Sequence, residues 1–350
     1  MPNMGFPGSG RTGRGGSLRL APMSRTVFPE LARLAGLTCA AVLLVGCSAA
    51  QPASTPRTDS TRATVSSDAN SGQSANLTDF ASAKLRTVDP CGLLDSNTLN
   101  EFGKATEPAA QSDIDSCQAD LEDGKGNDLG VEVAIGGDHE ASNKPTGTIA
   151  GLPADEESDS TECAEWLTTQ RDPATGIEIR VNYKGDAACV IARQLAGIIV
   201  NRIRTSPPQR PPGTNSLAVI DPCDTIDNAD AENLTAVGVD RTVEGLFSCD
   251  WQAGDYDLSV KFTLDGNPKD DTYDGTPQPV DVGVPAYAFP SNDVYPSCDV
   301  KWEVRAIDKT GDQGEDVDVQ FGDVLGGSLD PCTQAEAAAK LVATKVPRSS

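Results

Sequence analysis

Asp89-Pro90-Cys91 returns as Asp221-Pro222-Cys223, Ser116-Cys117 as Ser248-Cys249, and Gly151-Leu152-Pro153-Ala154 as Gly283-Val284-Pro285-Ala286, each 132 residues further along. Three matches at one offset mark an internal duplication. Working outward from them, the chain divides into two copies of a four-cysteine domain, residues 86–205 and 218–347, joined by a Pro-rich linker, residues 206–217. Such a linker is a semi-rigid spacer that lets its two domains reorient with limited freedom. The last two cysteines of the second copy drift to offsets of 135 and 143, so insertions are expected in its C-terminal part.

Within each copy the periodicity changes along the chain. A short helical stretch follows Asp-Pro-Cys, residues 93–103 or 225–238, with Ser96 and Asn228 as N-caps. Period-two runs come next: residues 129–135 and 177–183 in the first copy, 258–264 and 300–304 in the second. They read as antiparallel strands with one solvated face. A helix closes each copy. Over residues 186–204 the apolar positions 190, 191, 195, 198, 199 and 203 fall on one side, and Asp330-Pro331 is an N-cap with proline at the first helical position, ahead of an Ala-rich helix reaching Val346. The expected fold is α+β: two tandem disulfide-stapled domains, each a small antiparallel sheet covered by helices.

Residues 33–47 carry the address. A basic flank at Arg33 precedes a weakly polar to apolar run, residues 34–46, and then Cys47. The run is too short to span a hydrocarbon core, which takes about 20 residues, and fits a signal peptide. Leu44-Val45-Gly46-Cys47 resembles the bacterial lipobox, whose cysteine is acylated and becomes the mature N-terminus. Residues 1–46 are therefore expected to be cut away, with Met23-Ser24-Arg25 a more natural start than Met1 for a compact signal. Residues 47–85 then form a polar, disordered tether behind the lipidated cysteine.

Of ten cysteines, Cys39 falls in the signal and Cys47 in the anchor, leaving Cys91, Cys117, Cys163, Cys189, Cys223, Cys249, Cys298 and Cys332. An even number in an exported chain argues for disulfides. Four cysteines allow three connectivities per copy. The spacing favours 91–117, 163–189 and 223–249, each 26 apart, and 298–332, 34 apart. No C-x-x-C occurs to favour a structural zinc.

The lipobox, polar tether, Asp-Pro-Cys opening, Ser-Cys, Gly-hydrophobic-Pro-Ala, strand cysteine and cysteine before a final helix together resemble the actinobacterial lipoproteins carrying domain of unknown function 3558. The resemblance covers about 260 residues as two copies, where members usually carry one. It implies a cell-envelope location and two disulfides per domain, and it supplies no catalytic residue. The four-cysteine plan is also similar to the extracellular sensor domains of some actinobacterial serine/threonine kinases, which implies ligand sensing.

The chain has 52 acidic and 28 basic residues, one histidine and a formal net charge of −24. Phosphate backbones repel such a protein, so nucleic acid is excluded as a partner. His139, in the loop-like Gly136-Gly137-Asp138-His139-Glu140-Ala141, has no partner motif and reads as a solvated loop residue. No catalytic residue, metal ligand or cofactor is assigned. Acidic stretches 123–128 and 308–316 place oxygen ligands close together, which makes calcium binding the alternative, but they lack the glycine and glutamate positions of an EF-hand and read as hairpin turns. Tyr287, Phe289 and Tyr295, bracketed by Pro285, Pro290 and Pro296, form a candidate binding loop, with core packing as its alternative.

The function expected from these features is a non-enzymatic binding or sensing lipoprotein, anchored in the cell membrane on its extracytoplasmic face. Its partner would be an envelope protein, glycan or small molecule. A carboxylate-based enzyme acting on envelope polymers and a carrier of a lipid or other hydrophobic molecule are the alternatives.

Overall fold

The computed structural model describes residues 77–139, 145–184, 187–210, 216–272, 275–307 and 313–347. The expected signal peptide, Cys47 and the tether up to residue 76 lie outside them. Among the described residues no helix is long and apolar enough to cross a membrane. The folded part starts earlier than expected. A 3-10 turn, Leu77–Phe80, and helix α1, Ser82–Leu85, bury Phe80 and Leu85 in the core, so residues 77–85 belong to the fold and not to the tether.

Asp-Pro-Cys works as one device. Asp89 accepts a hydrogen bond from Cys91 N at 3.0 Å and caps α2, Pro90–Leu93, while Pro90 supplies a preset φ at the first helical position. Asp221 does the same for the 3-10 turn Pro222–Asp224. The expected single helix over residues 93–103 breaks at Leu94. Asp95, not Ser96, then caps α3, Ser96–Leu99, through Thr98 N. Arg202 holds the break by donating to Leu93 O, Thr98 Oγ1 and Asp95.

The strands of the first half are β1 (Lys104–Ala105), β2 (Ala110–Asp113), β3 (Ser116–Glu122), β4 (Asp128–Gly137), β5 (Gly147–Ile149), β6 (Leu152–Ser158), β7 (Glu162–Arg171) and β8 (Ala174–Tyr183). They form one antiparallel sheet of order β1-β3-β4-β8-β7-β6-β5, with β2 also paired to β3. Helix α4, Ala188–Thr205, packs on β7 and β8.

After α5, Asn228–Thr235, the second half repeats the plan. Asp227 caps α5 through Asp230 N, so Asn228 is not the cap. The strands are β9 (Asp240–Val243), β10 (Ser248–Ala253), β11 (Tyr256–Asp265), β12 (Gln278–Asp281), β13 (Pro285–Ser291), β14 (Ser297–Ala306) and β15 (Gly314–Asp323). Their order is β12-β13-β14-β15-β11-β10-β9, and α6, Pro331–Val342, packs on β14 and β15. The duplication extends to register: Cys163 faces Val181 on β8, and Cys298 faces Phe321 on β15. Sheets of eight and seven strands are larger than the small sheet expected, and the described residues are mostly sheet with few helices.

Period two explains the core. Leu129, Val131, Val133 and Ile135 of β4 are buried on the helix side, as are Leu258, Val260 and Phe262 of β11. The buried side of α4 differs from expectation. Ala188, Ala192, Leu195, Ala196, Ile199, Val200 and Ile203 face the sheet, and Val190 is half exposed. Alanines at that face let the helix approach closely.

The four disulfides are Cys91–Cys117, Cys163–Cys189, Cys223–Cys249 and Cys298–Cys332, with Cα separations of 4.9 to 5.2 Å. These are the pairs favoured by spacing. In each half the second bond ties the closing helix to a strand.

The halves also dock on one another. A bulge in β4 carries Gly136 at φ +81°, and its carbonyl accepts from Leu246 N at 2.7 Å. Buried Arg86 donates to Leu246 O from Nε and Nη2, at 3.2 and 3.0 Å, and pairs with Asp221 at 2.8 Å. Leu264 N donates to Asp113 Oδ1 at 2.8 Å. Beside this contact, burial and then the neighbouring Asp113 push the Asp115 carboxyl up to about 6, against Arg210 and Lys261.

The Pro-rich segment is pinned at both described ends. Asp89 N donates to Pro208 O and Arg210 N to Thr87 O, each at 2.9 Å, while Ser216 Oγ and Leu217 N donate to the Glu315 carboxylate at 2.8 and 2.7 Å. Residues 208–210 and 216–217 are therefore docked on the fold, where the segment's composition reads as a spacer.

Candidate functional site

A sheet with helices on one side leaves its other face to alternate residues of the same strands. In the second half, cross-strand register sets out two rows on this open face. Thr263, Asp316 and Glu303 stand side by side on β11, β15 and β14, and next to them Lys261, Asp318 and Lys301. Lys301 Nζ lies 3.6 Å from Asp318 Oδ2 and 5.5 Å above the Phe289 ring.

Asp316 is only 3% exposed, and neither of its carboxylate oxygens has a hydrogen-bond partner among the described residues. Burial, followed by Glu303 and Asp265, pushes its carboxyl up to about 8. Burial also raises Asp318, against the opposing charge of Lys301. The two acids open into a cavity of about 170 Å³ that Asp265, Pro268 and Asp271 also line.

The three candidate aromatics border this face, though not as a loop. Tyr287 and Phe289 lie on β13, directly across from Lys301 and Asp299. Phe289 is buried and Tyr287 half-buried. Tyr295, in the β13–β14 connection, lies over Gly322 of β15, where a Cβ would come within 2.6 Å of its ring.

The first half has diverged at the matching positions. Counting from the residue opposite the strand cysteine, Val181 or Phe321, Gly176 takes the place of Asp316. Trp166 faces Glu178 where Lys301 faces Asp318. His139 fills the space over Gly176: a Cβ there would sit 3.3 Å from the His139 Cβ. Its ring stacks on Trp166 with centroids 4.8 Å apart, and Nε2 lies 3.7 Å from Asp155. The side chain is 13% exposed, so His139 is a packed residue and not a solvated loop histidine.

Elsewhere on this face a polar groove of about 660 Å³ runs over Gln118, Asp120, Glu132 and Asn182, deepened by the missing side chain of Gly130.

Other groups are committed to structure. Asp123 accepts from Lys125 N, Asn127 N, Asn127 Nδ2 and Tyr183 Oη, and these bonds, that from Asn127 N first, hold its carboxyl well below the usual range. The 123–128 stretch is thus a hairpin turn. Of the second acidic stretch, residues 308–312 lie outside the described residues, and Glu315 and Asp316 belong to β15. Glu156, Cys163 and Cys189 bring ligand-type atoms within 4.8 Å, but the two sulfurs are bonded to each other.

Sequence reasoning missed Asp318 and Lys301, and put Asp316 in an acidic turn where it belongs to β15. Their signal was present in the alternation of Asp316-Val317-Asp318-Val319-Gln320-Phe321, which places acids on one face and apolar residues on the other. Compared with family models, curated proteins and solved structures, the chain gives no match in any of the three.

Proposed function

We propose that this chain is a non-enzymatic binding lipoprotein of the cell envelope: two α+β, disulfide-stapled domains with helices over one sheet face, held to the extracytoplasmic side of the cell membrane through acylated Cys47. The resemblance to the actinobacterial lipoproteins named above supports the location. The observation that carries the binding reading is the pair of helix-free, polar sheet faces, above all the groove over Gln118, Asp120, Glu132 and Asn182. Amides and carboxylates along an open groove suit a hydroxyl-rich ligand, an envelope glycan or a small polar molecule. A hydrophobic cargo would call for apolar walls, so the carrier reading is the weaker.

Titrating the exported chain with soluble envelope oligosaccharides and following amide NMR shifts tests this. Changes should cluster at Gln118, Glu132 and Asn182 or at Tyr287, Lys301 and Asp318, and Asn182→Ala should weaken binding to the groove about tenfold, the loss of one or two hydrogen bonds. Absence of shifts at millimolar ligand, or shifts confined to α4 and α6, would contradict it. One observation favours the enzyme alternative: Asp316 and Asp318 are two acids on one strand face beside a cavity. Hydrolysis of envelope polysaccharide that disappears in Asp318→Asn would select that reading instead.

The anchor has its own test. Cys47→Ser should abolish fatty-acid incorporation and move the protein from the membrane to the soluble fraction, because no second anchor is expected. Unchanged membrane retention would remove the lipid from the account.

A further inference from the structure

Asp316 and Asp318 share a strand face but not an electrostatic setting. Asp318 has a lysine on each side in its row, Lys261 and Lys301, whereas Asp316 has Thr263 on one side and the acid Glu303 on the other. Asp316 is also the more deeply buried, and both of its oxygens lack partners among the described residues. A carboxylate taken from water without a well-formed hydrogen bond is costly, the Asp265 main chain being the donor at hand, and buried polar groups left in this condition call for an explanation.

The cavity in front of it narrows the choice. At about 170 Å³ it is smaller than the roughly 300 Å³ typical of organic ligand sites, yet it has room for an ion with several waters, each about 30 Å³. Asp265, next after Thr263 on the same face of β11, and Asp271, in the turn that follows, contribute further oxygen donors to the cavity, and Thr263 adds a hydroxyl. Lys261 and Lys301 also line the cavity, yet with Asp318 between them the four acids still outnumber the two lysines, and oxygen donors of net negative charge suit a hard divalent cation; calcium tolerates the irregular geometry of a strand beside a turn better than magnesium does.

We propose that Asp316 and Asp265, with Asp271, bind a divalent cation, calcium being the expected occupant, between β15 and the turn at residues 266–271. No three of these oxygens yet stand within 4.8 Å of one another, so the turn closes on the ion and the affinity is that of a low-affinity extracytoplasmic site, with Kd about 1 mM. The inference goes beyond the ligand reading above and stands or falls independently of it.

The test is thermal unfolding of the exported chain in 10 mM calcium chloride against potassium chloride of equal ionic strength. Calcium should raise Tm by about 3 °C or more in the wild type. Asp316→Asn, which keeps the shape but cannot give up a proton to become an anionic ligand, should lose the shift, and Asp265→Asn, at the exposed end of β11, should lose most of it. Asp240→Asn, on exposed β9, removes a charge elsewhere and should keep it. No calcium-specific shift in the wild type, a full shift in Asp316→Asn or Asp265→Asn, or loss of the shift in Asp240→Asn as well would overturn the site. If Asp316→Asn does not fold, Asp265→Asn decides.

Discussion

Gly136→Ala is expected to lower stability by about 3 kcal/mol, although the substitution adds a single methyl group. Gly136 sits at φ +81°, where an L side chain costs about 1 to 2 kcal/mol. A Cβ at this position would also run into the buried side chain of Leu246, whose displacement forfeits a further 1.5 to 3 kcal/mol of burial, roughly. Leu246 is one of the residues through which the second half engages the first, giving its N–H to Gly136 O and its carbonyl to Arg86. The matching stretch of β11 runs beside β15 with no bulge, so the glycine serves the docking of the halves and not the sheet. Gly197→Ala is the control. It lies in α4 with open space where a Cβ would go, and should gain about 0.5 to 1 kcal/mol. Urea unfolding of both variants checks the pair, and an unaltered midpoint for Gly136→Ala would mean that the halves do not meet there.

Replacing Cys298 and Cys332 together by alanine should cost about 3 to 4 kcal/mol, the chain-entropy value for a closed loop of 34 residues. The second half should feel the loss more than the first feels removal of Cys163 and Cys189. The α6 face toward the sheet is Ala335, Ala338, Ala339 and Val342, whereas α4 buries Leu195, Ile199, Val200 and Ile203. With less apolar area on α6, its seat on β14 and β15 depends more on the covalent tie. Calorimetry of the two double variants should therefore give the lower Tm for Cys298→Ala/Cys332→Ala. A loss under about 1 kcal/mol would show that this bond contributes little to holding the helix.

Much of the framework was legible because its signals are local. Repeated Asp-Pro-Cys, equal cysteine intervals and the alternation of Leu129 to Ile135 each need only a short window of sequence. The misreadings have long-range or small-residue causes. Asp95 takes the cap from Ser96 because Arg202, more than a hundred residues later, holds the break before it. The buried side of α4 was misplaced because Ala192 and Ala196 carry little hydrophobic signal, while exposed Val190 carries more. His139 looked solvated because nothing in the sequence says that Gly176 leaves room for its ring. Of the site, Tyr287 and Phe289 were singled out for their composition, yet the charged rows beside them exist only through the register of β11, β14 and β15. Docking of the halves was invisible for the same reason: a proline-rich segment reads as a spacer until its main-chain partners, Thr87 and Asp89, are known.

Everything rests on two copies of one sheet, each closed by its own pair of disulfides. Proteolysis of the exported protein without reduction, followed by mass spectrometry of the linked peptides, addresses this most directly. The account predicts four linkages, Cys91 to Cys117, Cys163 to Cys189, Cys223 to Cys249 and Cys298 to Cys332. A peptide joining a cysteine of residues 86–205 to one of residues 218–347, or free thiols at these eight positions, would contradict it.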